Sequence, residues 1–249
     1  MAEFTDRYDA GRRLARHLTE RWARGGEAAA VAPGPGGPGP DGLVPGEPVP
    51  GDRESGGPRG WLVVLGLPRG GVPVAEPVAR ALAAPLDVIM VRKLGVPVHP
   101  ELSMGAIGED GVGVLDESIM RHYGVNEDQL AEVRQREGQT LSRRANLYRR
   151  GRLAPDLRGT TAVLVDDGMA TGATARVACR IARHLGAARV VLALPVAARD
   201  TVEALRRDGV ADEVLVVSTP EPFRAVGAHY ADFRAVQEED VVEILGRNP

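Results

Sequence analysis

VLVDDGMATGATA (residues 163–175) runs from an apolar segment through two adjacent aspartates into a series of small residues. Burying a carboxylate costs several kcal/mol, and two side by side repel each other. Asp166 and Asp167 therefore need a partner at the end of that apolar run. Ala170, Thr171, Gly172, Ala173 and Thr174 open a helical stretch. Side chains this small let a phosphate reach the backbone N–H groups at the electropositive end of the helix. Thr171 and Thr174 add hydroxyl donors. The two carboxylates suit hydroxyl donors, or a divalent cation held through them, better than a phosphate. A sugar with vicinal hydroxyls and a phosphate on its next carbon satisfies both halves, so the stretch reads as a ribose 5-phosphate cradle.

Outward from this stretch the chain is regular. WLVVLGL (61–67), LDVIMV (86–91), TAVLVDD (161–167), RVVLALPV (189–196) and DEVLVVST (212–219) are short apolar runs, and helical patterns follow the first, third and fourth. Runs that are apolar on both faces and alternate with helices predict an α/β fold with a parallel five-stranded sheet flanked by helices. The turns PRGG (68–71), RKLG (92–95) and DDGMATGAT (166–174) each follow a predicted strand, so they should gather at its carboxyl edge, where open α/β sheets bind ligands. Between the second and third strands lie a Gly-rich segment (93–125) and a polar helix (126–150). Leu14, Leu18 and Trp22 at helical spacing predict an amphipathic helix within residues 1–24. More than half of residues 25–60 are Gly or Pro. Such a tract buries too little apolar surface to offset its ordering entropy and is read as a disordered insertion.

The 249 residues carry a net charge of −3 with 43% hydrophobic residues. That balance argues against nucleic acid or an anionic membrane as a partner. No apolar run approaches the ~20 residues of a membrane span. The mixed-charge N-terminus lacks a signal-peptide core, and the chain is read as cytoplasmic. Cys179, the single cysteine, sits in an apolar helical stretch and is read as a core residue rather than a nucleophile. Lys93 is the only lysine in an arginine-rich chain, which marks it as a place where a compact ammonium is wanted.

VLVDDGMATGAT resembles the PRPP-binding motif of the type I phosphoribosyltransferases, with Gly168 where that family more often has an aliphatic residue. LPRGGVPVA resembles the family's pyrophosphate loop, and RKLGVPVHPELSMGAIGEDG takes the place of its flexible loop. From about Arg69 to Tyr230 the chain resembles a little-characterised bacterial branch of the family, with RKLG, PEL and GAIG and a PEPF-AVG-Y-F pattern. The resemblance implies a phosphoribosyltransferase domain over 61–249, a flexible loop at about 93–125, and a small hood to which the helix of residues 1–24 contributes. It implies that Asp166 and Asp167 hold the ribose hydroxyls and that Ala170–Thr174 hold the 5-phosphate. Arg69, Gly70 and Gly71 would bind pyrophosphate through an unusual peptide geometry, with Arg92 and Lys93 approaching the same group. It further implies Mg²⁺ carried by PRPP rather than by direct protein ligands, a nitrogenous base as second substrate, and a homo-oligomer. The same cradle also serves non-catalytic PRPP- or nucleotide-sensing regulators, which is the alternative reading.

Weaker signals surround this core. Ala170 stands where 6-oxopurine enzymes carry an aspartate, which counts against hypoxanthine and guanine. Glu101, Glu109 and His99 are candidate bases in the Gly-rich segment, each read first as a solvated side chain. Phe223, Tyr230 and Phe233 either cap the site or fasten the C-terminal tail. The basic cluster RRANLYRRGR (143–152) is read as an exposed helical face.

Overall fold

The structure, a computed structural model, describes residues 2–25, 61–109 and 111–247. The Gly/Pro-rich tract expected to be a disordered insertion lies, but for Gly25 at its edge, outside the described residues; Gly25 ends the first helix. That helix is α1 (Arg7–Gly25), followed by β1 (Leu62–Gly66), α2 (Gly71–Ala81), β2 (Leu86–Val88), β3 (Arg92–Val96), β4 (His99–Ile107) and β5 (Gly113–Leu115). Then come α3 (Glu117–His122), α4 (Glu127–Arg149), β6 (Thr161–Val165), α5 (Ala173–His184), β7 (Arg189–Val196), α6 (Arg199–Arg207), β8 (Glu213–Ser218) and α7 (Glu238–Gly246).

The main sheet has five parallel strands in the order β2-β1-β6-β7-β8. Alternate residues feed two cores. Leu62, Val64, Val163, Val165 and Val191 face α1, α2 and α7, while Val63, Leu65, Leu164, Leu192 and Leu194 face α5 and α6. A sheet buried on both faces explains why its strands are continuous apolar runs.

Two expectations need correction. The run LDVIMV pairs only over β2, because its neighbour β1 ends at Gly66, opposite Val88. Within the Gly-rich segment 93–125, where no strand was expected, the chain forms an antiparallel sheet, β3-β4-β5. Its glycines serve close strand approach: a Cβ on Gly95 would lie 2.4 Å from the carbonyl oxygen of Pro100. Leu94, Val96, Met104 and Ile107 from these strands are fully buried. The helix α1, assigned to a hood by the resemblance, packs on the sheet. Its apolar stripe Leu14, Leu18 and Trp22 joins the core on the sheet, where it finds the apolar partner an amphipathic face requires.

Candidate active site

The site is built at the carboxyl ends of β1 and β6, where the chain must turn out of the sheet. After β6 come Asp166 and Asp167; after β1 comes the PRGG turn. The two turns press together so closely that only glycine fits. A Cβ on Gly70 would stand 2.0 Å from Oδ2 of Asp167, and one on Gly71 would stand 2.5 Å from the carbonyl oxygen of Val165. The Pro68–Arg69 peptide is cis, in the turn for which unusual geometry was expected. Arg69 itself is exposed.

Each aspartate has one oxygen engaged. Oδ1 of Asp166 accepts the backbone N–H of Asp167 at 2.9 Å. Oδ2 of Asp167 accepts Nε and Nη2 of Arg7 at 2.9 and 2.8 Å. Burial, and then the charge of Asp167, push the Asp166 carboxyl well above the usual range. Burial also raises Asp167, and the Arg7 guanidinium opposes that rise. A pair that resists holding two charges is suited to hydroxyl donors or a cation.

The small-residue loop follows. Met169 bridges to Ala197, exchanging backbone hydrogen bonds of 3.0 Å with Val196 and Ala198. The Thr201 hydroxyl donates to the carbonyl of Ala170 at 2.6 Å. Thus held, Ala170, Thr171, Ala173 and Thr174 remain exposed at the start of α5, capped by Gly172 in the left-handed region. Gly168 (φ +156°) is explained by packing. A Cβ there would meet Cγ1 of Val226 at 2.5 Å, so the residue admits the C-terminal segment against the loop.

The structure separates Arg92 from Lys93. Lys93 lines a cavity of about 570 Å³ together with Ala173, Thr174 and Arg180, and its Nζ donates to the carbonyl of Glu101 at 2.9 Å. Arg92 turns to α4, giving two hydrogen bonds of 2.9 and 2.6 Å to Glu137; this carboxylate partner is what draws it away from the cavity.

The candidate bases resolve differently. Glu101 is fully exposed. Both oxygens of Glu109 are bound by Arg149, whose Nε also holds both oxygens of Asp87 at 3.0 Å. The ring of His99 meets Tyr123 edge-on, with centroids 5.5 Å apart. In 143–152, Arg143, Arg150 and Arg152 are exposed as read, but Arg149 is buried together with Tyr148. Cys179 is buried with its thiol pushed up to about 12 by burial, as inert as a core residue should be.

Arg7 was not foreseen beside the aspartates, whereas the sequence offers Tyr230 and Phe233 either as a cap on the site or as a fastening of the C-terminal tail. The Tyr230 hydroxyl donates to the carbonyl of Asp167 at 2.5 Å, and the Arg7 guanidinium lies 3.9 Å over the ring of Phe233. The pair Arg7 and Asp167 are 160 positions apart, beyond the reach of any local pattern.

The sequence model of the family described as phosphoribosyl transferase domain matches residues 52–218. The chain belongs to that family. Over 186 residues it is 52% identical to Mycobacterium tuberculosis proteins that carry the name of a phosphoribosyl transferase, MT0597 and Rv0571c in two strains. The match covers 75% of this chain and 42% of either relative, so the chain spans less than half the length of the curated relatives. The crystal structure of TT1426 from Thermus thermophilus is 38% identical, with 99% of both chains covered and a TM-score of 0.73. Arg7, Tyr230 and Phe233 fall outside the matched family segment.

Proposed function

We propose that this phosphoribosyl transferase domain moves the ribose 5-phosphate of PRPP to a nitrogenous base with release of pyrophosphate. The observation that carries the reading is the contact of the Gly70–Gly71 backbone with the Asp166–Asp167 pair. The reading is supported by that proximity, with the PRGG turn beside the two carboxylates that precede the exposed start of α5. The 5-phosphate then lies on Ala170–Thr174, and the open oxygens of Asp166 and Asp167 take the ribose hydroxyls. Arg69 and the Gly70–Gly71 backbone face pyrophosphate, with Lys93 reaching it from the neighbouring cavity.

In the reaction the C1–O bond to pyrophosphate breaks with its electrons staying on pyrophosphate, and the lone pair of the acceptor nitrogen forms the new C1–N bond. Leaving-group charge is stabilised by fixed donors, the largest effect available to such a site. Mg²⁺ suits this arrangement, because the open aspartate oxygens fit a cation that arrives with PRPP. Such an ion neutralises developing charge on pyrophosphate.

The test is pyrophosphate release from PRPP and Mg²⁺, with and without a panel of purine, pyrimidine and pyridine bases. Release dependent on one base establishes the transfer and names the acceptor. PRPP binding without release under every base favours the sensor reading, and failure of PRPP to bind overturns the assignment.

A further inference from the structure

The aspartates are held from behind by a device outside the matched family segment. Arg7 is the first residue of α1, and its guanidinium is fixed on three sides. Nε and Nη2 both donate to Oδ2 of Asp167, Nη1 donates to the carbonyl of Arg234 at 2.8 Å, and the plane lies over Phe233. The two charged side chains are only 11% and 16% exposed, so this is no solvated surface pair. The Arg7 contacts with Asp167 all fall on Oδ2 and leave Oδ1 outside the pair.

We propose that Arg7 is a positioning residue for ribose recognition, holding Asp167 through one oxygen so that the other is presented to a sugar hydroxyl. The inference rests on the reading of Asp167 as a ribose ligand. Its physical basis is the crowding of the pair. Without a cation behind it, Asp167 stands against Asp166 with only its own oxygens and the Gly70 backbone around it, and repulsion turns it away from the site. An arginine already fixed by a carbonyl and an aromatic face loses little entropy in holding the carboxylate still. The groups around Asp167 are Arg7 from α1, Asp166 beside it, and Tyr230 from the C-terminal segment, with Glu3 behind the tyrosine; Arg7 is the only cation among them. The N-terminal residues thereby become part of a site that the matched segment alone leaves incomplete.

The experiment compares PRPP binding by calorimetry in the wild type, Arg7→Met and Arg7→Lys, with thermal melting of each. Methionine keeps an apolar stem against Phe233 and removes the charge; lysine restores a cation and a donor. The expected result is at least a tenfold loss of PRPP affinity in Arg7→Met, recovered to within about threefold in Arg7→Lys, at closely similar melting midpoints. Undiminished binding in Arg7→Met overturns the positioning role, as does an equal loss in both variants, which would make the residue a packing element only. Should the methionine variant fail to fold, the lysine variant decides alone: near-native binding supports the role and a tenfold loss overturns it. Absence of PRPP binding by the wild type is a different failure, that of the ribose assignment itself.

Discussion

Asp166 shows at the residue scale how function and stability oppose each other. Its carboxyl is raised by burial and by Asp167, so the folded state favours the protonated form. A group raised in this way contributes stability fully below its unfolded range, near pH 4, and that contribution is lost as pH rises through the folded value. Asp166→Asn, which still accepts the Asp167 N–H, is therefore expected to melt a few degrees above the wild type at pH 7, with the gap closing as pH falls toward about 4. A constant gap across that range would show that the charge is not what strains the site. Lys93 offers a complementary test. It borders the cavity that Ala173 and Thr174 share, and loss of one preorganised donor to developing charge costs about 100-fold in turnover. Lys93→Ala should show that loss while ribose 5-phosphate affinity changes by less than about twofold, within the scatter of one weak contact. Parallel losses in both would remove its leaving-group role.

Among the elements, the antiparallel sheet β3-β4-β5 owes its place to α4. Arg149 reaches from the end of that helix to Asp87 on β2, to Glu109 beyond β4 and to the carbonyl of Val88 at 3.2 Å, while Glu137 one face away holds Arg92. Arg149→Met leaves two carboxylates without their cation, one of them buried, and should destabilise the protein by about 3–5 kcal/mol in urea unfolding. A change below about 1 kcal/mol would reduce the network to a surface pair. The same element marks the limit of what the sequence discloses. The five parallel strands and the small-residue turn that opens α5 were legible because each signal is local: an apolar run, then small residues at a turn. The inserted sheet was not, since Gly95, Gly105 and Gly113 resemble loop glycines until their strand partners are known. Arg149 was hidden in a basic cluster, where only its burial distinguishes it from Arg150 beside it. Arg7 carried no signal at all, because its partner lies far along the chain.

On the scale of the whole molecule, the N-terminal residues and residues 229–233 close on each other beside the aspartate pair. Phe4 bridges Tyr230; the N–H groups of Ala231 and Asp232 donate to the carbonyls of Phe4 and Thr5 at 2.8 and 2.9 Å. Phe4, Tyr230 and Phe233 pack in series with centroids 5.4 and 4.9 Å apart. The aromatic series thus fastens the two segments, and through the Tyr230 hydroxyl it also fixes the backbone of Asp167. Tyr230→Phe keeps the ring packing and removes only that donor, leaving the Asp167 carbonyl without it at a cost of about 1–3 kcal/mol. Burial, and then the charge of Asp167, push the tyrosine upward from its ordinary value, so the hydroxyl stays a donor in the folded protein when it would ionise in the unfolded chain. By linkage the wild type's advantage is complete below about pH 10 and shrinks as pH climbs toward the folded value. Melting of the two proteins at pH 7 and at about pH 11 should show the gap narrowing. Equal midpoints at pH 7 would mean that the two segments are held by ring packing alone, and that their link to the ribose site runs through Arg7 only.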